Sequence, residues 1–269
     1  QGITVTLDGQ GADEMLAGYF GYPQARLHSL LEKREWLSIL TFLKNWPKWP
    51  GRPAFKGYLY LAELLLPRSS WFESSRLRGK TPNPSWLHAN ALKEQGVSLG
   101  EPQTLVGRGD ATGRRLVESL RHALTNNKLI HLLRILDRNS MSWSMESRVP
   151  FLTVDLVEFL LALPEEFLLS KEGQTKRIFR EAMRGIVPDE VIERKDKVGF
   201  VTPEKDWLVH SRKKVLDWLE CLDQAGFVKK DKCVREVSAV LDGTKPFSWQ
   251  AWRMVNFAQW FSMQSYSSS

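Results

Sequence analysis

Ile3-Thr-Val-Thr-Leu-Asp-Gly-Gln-Gly-Ala-Asp-Glu-Met15 decides how the chain is read. Residues 3–7 alternate β-branched and apolar side chains with threonine, the pattern of a strand entered midway. Residues 8–14 form a glycine-rich turn, and residues 15–22 read as the helix that it opens. Strand, glycine turn and helix make a phosphate-binding arrangement. Gly9 and Gly11 let backbone N–H groups converge on one concavity, and the helix start adds partial positive charge. Asp13 and Glu14 then stand where a magnesium ion bridging phosphate oxygens could be held. A tight turn with an aspartate cap fits the same residues, and a short Gly-x-Gly string does not separate the two readings.

Outward from the turn, residues 27–66 carry helical patterns with wide apolar faces, interrupted by Trp46-Pro-Lys-Trp-Pro-Gly-Arg-Pro53. Residues 67–113 are polar, rich in proline and glycine, and read as loops and short helices. Leu116, Leu120, Leu129, Leu132, Leu133 and Leu136 recur near helical spacing and lead into Asp137-Arg-Asn-Ser-Met141. Short helices are expected over 155–163, stopped by Pro164, over 174–184, capped by Gly185, and over 189–194, after Pro188. Amphipathic segments follow at 211–225 and 249–261, and 265–269 reads as a disordered, frayed tail.

Composition sets the broad class. With 269 residues, 42% of them hydrophobic and 11 of them tryptophan, the chain has ample material for a packed core, which excludes a wholly disordered protein. The longest apolar candidate, residues 58–66, is interrupted by Glu63 and too short to span a bilayer, so no membrane partner is expected. Two cysteines, Cys221 and Cys233, are too few for a disulfide framework and match no zinc spacing, which points to a reducing compartment. The formal charge of +7 admits nucleic acid. However, the cations are interleaved with acids and no nucleic-acid motif is present, so no such partner is expected either. The start has no Met, basic n-region or apolar h-region. Together with the strand entered midway, this leads us to expect that residues preceding Gln1 are missing.

Two further groups could carry chemistry. Asp137 and Arg138, with Glu146 and Arg148, could bind an ammonium and a carboxylate or phosphate, because arginine offers a planar fork of donors. By themselves Glu146 and Arg148 read rather as a structural pair that orders the turn before Pro150. In Glu193-Arg-Lys-Asp-Lys-Val-Gly-Phe200, a lysine near a glycine suits charge stabilisation in phosphoryl or adenylyl transfer. Such a charge run is more often a solvated helix end.

Taken in order, these segments carry a resemblance. Asp8-Gly-Gln-Gly-Ala-Asp-Glu-Met-Leu-Ala-Gly-Tyr19 resembles the S-G-x-G-A-D-E-x-x-x-G-Y segment of glutamine-dependent asparagine synthetases. Asp137-Arg-Asn-Ser-Met141, Glu146-Ser-Arg-Val-Pro-Phe-Leu152, Thr175-Lys176 with Arg180-Glu181-Ala182, and Arg194-Lys-Asp-Lys-Val-Gly-Phe200 are similar to the remaining family signatures, in family order.

The resemblance implies an α/β fold: a partial adenine nucleotide alpha-hydrolase-like (ATP pyrophosphatase) domain over 1–264, with a largely helical C-terminal region. Within it, 1–26 would form the nucleotide site, 27–115 a helical and loop insert, and 116–264 a helical region with substrate motifs. It implies a cytoplasmic ligase that uses ATP and Mg2+ to activate aspartate as β-aspartyl-adenylate, which ammonia derived from glutamine then attacks. Asp8, Gly9, Gln10 and Gly11 would bind the nucleotide, and Gln10 would sit beside the adenylate. Asp13 would hold magnesium and pyrophosphate. Asp137 and Arg138, with Glu146 and Arg148, would surround the substrate. Lys197, preferred over Lys195 because it stands in Lys-aliphatic-Gly, would neutralise charge on the phosphate and the attacked carbonyl.

The departures are specific. Asp8 stands where many members have serine, and Thr153 where aspartate commonly follows Pro-Phe-Leu. Gln10 stands where some have glutamate, and a neutral amide cannot act as a carboxylate base. The sequence contains no Ser-Gly-Gly-x-Asp-Ser pyrophosphate loop and no N-terminal cysteine nucleophile, so a glutaminase domain and that loop are expected to be missing upstream and this fragment alone to be inactive. A homodimer is open to the full-length protein. Two other readings stay open: an amidotransferase acting on a different carboxylate, of a sugar or peptide, and a non-catalytic remnant that binds a partner.

Overall fold

The computed structural model describes residues 2–65, 84–97, 113–125, 128–196 and 202–266. The chain divides into two compact units, Gln1–Trp71 with Thr104–Lys197, and Phe72–Gln103 with Val198–Ser269. Most described residues are helical, and the one sheet among them has two strands.

In the first unit, β1 (Val5–Leu7) pairs in parallel with β2 (Glu146–Arg148), with Val5 opposite Glu146 and Leu7 opposite Arg148. The pairing is extended at both ends, where Glu146 N donates to Thr4 O and Asp8 N to Arg148 O, each at 2.8 Å. A parallel pair needs a long crossover, and here the crossover is helical. It contains α1 (Ala12–Met15), α2 (Tyr22–Glu32), α3 (Trp36–Asn45) and α4 (Ala54–Leu65). After α5 (Ala89–Glu94), which belongs to the second unit, come α6 (Arg115–Thr125) and α7 (Lys128–Met141).

The helix expected over 15–22 is not formed. Helix α1 spans one turn and stops at Met15, because Leu16 O accepts Lys176 N at 2.9 Å and Ala17 turns left-handed with φ 58°. Pro23, which lacks an N–H, then fits the first turn of the next helix rather than the interior of the previous one.

Met15, Leu16, Leu27, Leu30, Phe42 and Leu120 are among the buried side chains of this unit's core. Helices α2 and α6 are tied to α9 (Glu165–Leu168) through a buried carboxylate. Glu165, 3% exposed, accepts from Arg26 Nη1 at 2.8 Å, Ser29 Oγ at 3.0 Å, and the N–H groups of Leu116 and Val117 at 2.9 and 3.2 Å. It thereby caps the start of α6 and neutralises Arg26 together. Nearby, Arg115 grips Glu32 and Glu118.

Helix α8 (Val154–Ala162) lies where the sequence pattern puts it, ahead of Pro164. The expected 174–184 helix is shorter, α10 (Arg177–Ala182), because Leu169 and Thr175 bridge and Ser170 N bonds Gln174 O, holding the preceding residues in a hairpin turn. Gly185, at φ 78°, follows its end. After Pro188, α11 (Asp189–Ile192) closes this unit's described helices.

The second unit packs α12 (Glu204–His210), α13 (Arg212–Glu220), α14 (Lys230–Leu241) and α15 (Trp249–Tyr266) around Val215, Leu219, Cys233, Val237, Met254 and Ala258. The expected 211–225 helix divides into α13 and a 3-10 turn, Cys221–Gln224. Helix α15 runs two residues into the expected tail at 265–269. Of the 67–113 stretch, residues 84–97 and 113 are described, and they carry α5; the reading of the rest lies outside the described residues. No helix among the described residues is long and apolar enough to cross a membrane.

Candidate functional site

The turn after β1 is built by its own side chains. Asp8 Oδ1 accepts Gln10 N at 2.9 Å, an Asx turn that brings the strand round into α1. The Asp8 carboxylate therefore shapes the loop before it can touch any ligand. Gly11 sits at φ 92°, and a Cβ there would fall 2.3 Å from Leu152 Cδ2. Both its conformation and the close approach of the Pro-Phe-Leu segment demand glycine. Gly9 is different: a Cβ would meet nothing within 4 Å, so this side of the turn is open. Three of the turn's N–H groups are already engaged, Asp8 N with Arg148 O, Gln10 N with Asp8 Oδ1 and Ala12 N with Gly9 O at 3.4 Å. Since α1 has four residues, the dipole expected to favour an anion here is that of a single turn.

Asp13 leads to a residue that the sequence reading quoted but did not select. Lys176 Nζ lies 2.6 Å from Asp13 Oδ1, both side chains being partly exposed. Lys176 adopts φ 56° and its N–H bonds Leu16 O, which aims the side chain back at α1. Gly18 makes room for the pair, since a Cβ there would stand 1.9 Å from Asp13 Oδ1. Its place beside Arg180 in the Thr175-Lys176 signature was the available signal. Arg180 clamps that segment by donating to Thr175 O at 3.0 Å and to the Ile192 carbonyl.

Glu14 is not beside Asp13 as a second metal ligand. It is 1% exposed and accepts the Tyr19 hydroxyl at 2.8 Å. Burial, with Glu14 adding to it, pushes the Tyr19 phenol well above its ordinary range, and burial does the same to Tyr22. Among the described residues no group of three acidic, histidine or cysteine side chains could hold a metal. One carboxylate beside an ammonium fits magnesium only where phosphate oxygens complete the shell, the usual arrangement for that ion.

Glu146 and Arg148 lie on β2 and pair with each other at 2.7 Å, largely exposed, the guanidinium holding the carboxyl below its ordinary value. The Arg148 carbonyl reaches the turn; its side chain is occupied with Glu146. Asp137 and Arg138 are exposed near the end of α7, and among the described residues neither bonds to residues 8–13. Lys197 lies outside the described residues. Before it, Arg194 pairs with Asp196 at 2.7 Å, and Lys195 Nζ stands 5.7 Å from the centre of the Trp49 ring.

The arrangement therefore offers a glycine turn open at Gly9, a carboxylate and an ammonium held together at its helix, and β2 fixed alongside. The family described as asparagine synthase matches residues 1–262. The chain is 28% identical over 280 residues to the glutamine-hydrolyzing asparagine synthetase 1 of Bacillus subtilis, a match covering 97% of this chain and 40% of that protein. It is 31% identical over 156 residues to glutamine-hydrolyzing asparagine synthetase 3 of the same organism, covering 56% and 24%. The chain thus spans about two fifths of the length of the first of these relatives. No solved structure matches it.

Proposed function

Because the chain belongs to the asparagine synthase family, we propose that it supplies part of the synthetase site of an ATP-dependent carbon–nitrogen ligase, one that turns aspartate into asparagine with ammonia derived from glutamine. The observation that carries this reading is the Asp13–Lys176 pair, 2.6 Å apart, at a glycine turn pinned to Leu152 and to the Arg148 carbonyl. Three separated sequence signatures meet there. The fold reading is that of an adenine nucleotide alpha-hydrolase domain, with ATP and magnesium as cofactors in the cytoplasm.

Magnesium, when bound, supplies charge neutralisation on the pyrophosphate that leaves as the acceptor carboxylate is adenylylated. Asp13 would hold it, and Lys176 would fix the Asp13 carboxylate before the ion arrives and face phosphate oxygens afterwards. Asp8 and Gly9 would receive the nucleotide on the open side of the turn, with Gln10 beside the adenylate as a hydrogen-bonding amide rather than a base. Asp137 and Arg138 would approach the substrate from the end of α7, and Lys197 would stabilise charge growing on the attacked carbonyl.

The test uses the full natural protein with ATP, aspartate and free ammonia, which makes the result independent of glutamine hydrolysis. Asp13→Asn should lower pyrophosphate release by about 10²-fold while the circular dichroism spectrum is unchanged. Undiminished release would return Asp13 to the role of a helix cap.

A further inference from the structure

Arg52 is a buried cation whose charge no carboxylate among the described residues balances. It is 8% exposed, and its guanidinium carbon lies 5.8 Å from the ring centres of both Trp46 and Trp49. Of its five N–H donors, Nη1 is bonded to Gly173 O at 3.1 Å, whereas Nε is buried with no partner. The buried Trp46 Nε1 in the same cluster is also unbonded. Burial alone lowers the Arg52 pKa, to about 10, and no carboxylate among the described residues offsets it. Arg26, the other deeply buried guanidinium with an unbonded Nε, has Glu165 against it.

The surroundings of Arg52 are fixed. Trp49 Nε1 donates to Glu172 O at 2.7 Å. Gly173, at φ 84°, brings its backbone so close that a Cβ would fall 3.1 Å from Trp49 Cδ1 and 3.2 Å from Arg52 Nη1. A second cation, the exposed Lys195, stands over the Trp49 ring. An unpaired buried charge and an unbonded buried donor both lower stability, and such a cost is retained where an anion arrives to meet them.

We propose that Arg52, Lys195 and the Trp49 ring form a binding site for a carboxylate, made by none of the residues of the Asp13 turn. Arg52 would donate to the carboxylate oxygens and cancel their charge, and Lys195 would attract the anion from the solvent side. One buried guanidinium between two indoles matches a flat monoanion. Arginine's fork fits phosphate as well as carboxylate, so phosphate is the competing anion in the test.

The experiment is equilibrium binding to the full natural protein without ATP, so its outcome is independent of turnover and of the reading of Asp13. Melting temperature is followed against sodium acetate and sodium aspartate, with sodium chloride and sodium phosphate at matched ionic strength. A saturable rise with acetate or aspartate is expected, absent with chloride and phosphate. Arg52→Met should weaken that response about tenfold or more. It should nonetheless melt, without ligand, at or above the temperature of the unsubstituted protein, because an apolar side chain removes the unbalanced charge. If Arg52→Met does not fold, Lys195→Met at the surface carries the test, with a loss of a few-fold in carboxylate affinity. A response to phosphate but not to carboxylates overturns the proposal. So does the lack of a saturable carboxylate response in the unsubstituted protein, or a response that survives both substitutions. In those cases Arg52 is a strut for the Gly173 turn.

Discussion

Gly18 holds together a pair to which it contributes no side chain. With a methyl at that position 1.9 Å from Asp13 Oδ1 and 2.9 Å from Lys176 Cε, Gly18→Ala must part the carboxylate from the ammonium. Pyrophosphate release by the full protein should then fall roughly tenfold or more, in the direction of Asp13→Asn, with little change in helix content by circular dichroism. Retained release would mean that the pair is incidental to the chemistry. Glu32 gives a second residue-level outcome. Burial alone would raise its carboxyl, but the Arg115 guanidinium and the Gly113 N–H outweigh burial and hold it below the ordinary 4.5. A depressed acid contributes stability above its unfolded value and loses that contribution as pH falls through its folded value. Melting temperature should therefore decline on acidification below about pH 4.5 more steeply in the unsubstituted protein than in Glu32→Gln. Parallel declines would show that the Arg115 contact adds nothing.

Among the elements, α2, α6 and α9 stand or fall on Glu165. Removing its carboxylate would leave Arg26 charged, buried and unpaired, and would leave the start of α6 capped by Ser29 Oγ alone. Glu165→Ala should cost about 3–5 kcal/mol in denaturant unfolding; a cost near that of a surface substitution would show that water replaces the carboxylate. The sequence made α3, α4 and α8 legible, because their apolar spacing is helical and prolines mark their limits. It misplaced α1 and α10 for a physical reason. Both are cut short by backbone hydrogen bonds outside the helix pattern, Lys176 N to Leu16 O from a distant segment and Ser170 N to Gln174 O within a hairpin turn, and by left-handed residues at Ala17 and Lys176. Nothing in local composition announces a non-glycine residue at positive φ. Asp8, Gly9, Gly11 and Asp13 of the candidate site were legible from the glycine string. Lys176 beside it, and Arg52 elsewhere, were not, because what distinguishes them is a partner gained, or withheld, across the fold.

At the scale of the whole molecule, the strand pair of the first unit is not a covered core element, since Leu7 of β1 is 75% exposed. Alternation in residues 3–7 revealed a strand, yet it could not show which residues pair with it, since β2 is a polar Glu-Ser-Arg triplet without a strand signature of its own. That pairing joins positions some 140 residues apart in sequence. Closing so long a loop costs entropy that no nearby contact repays at once, whereas the bonds from Leu116 N and Val117 N to Glu165 span only 49 and 48 residues. Time therefore enters the architecture. During refolding, the amides of Asp8 and Glu146, which seal the two ends of the ladder, should acquire protection from hydrogen exchange after those of Leu116 and Val117. Pulse labelling would read that sequence of events directly, and early protection at Asp8 would reverse it. The glycine turn lies just beyond one of those two amides, so the place where chemistry is proposed would be among the last parts of the chain to take shape.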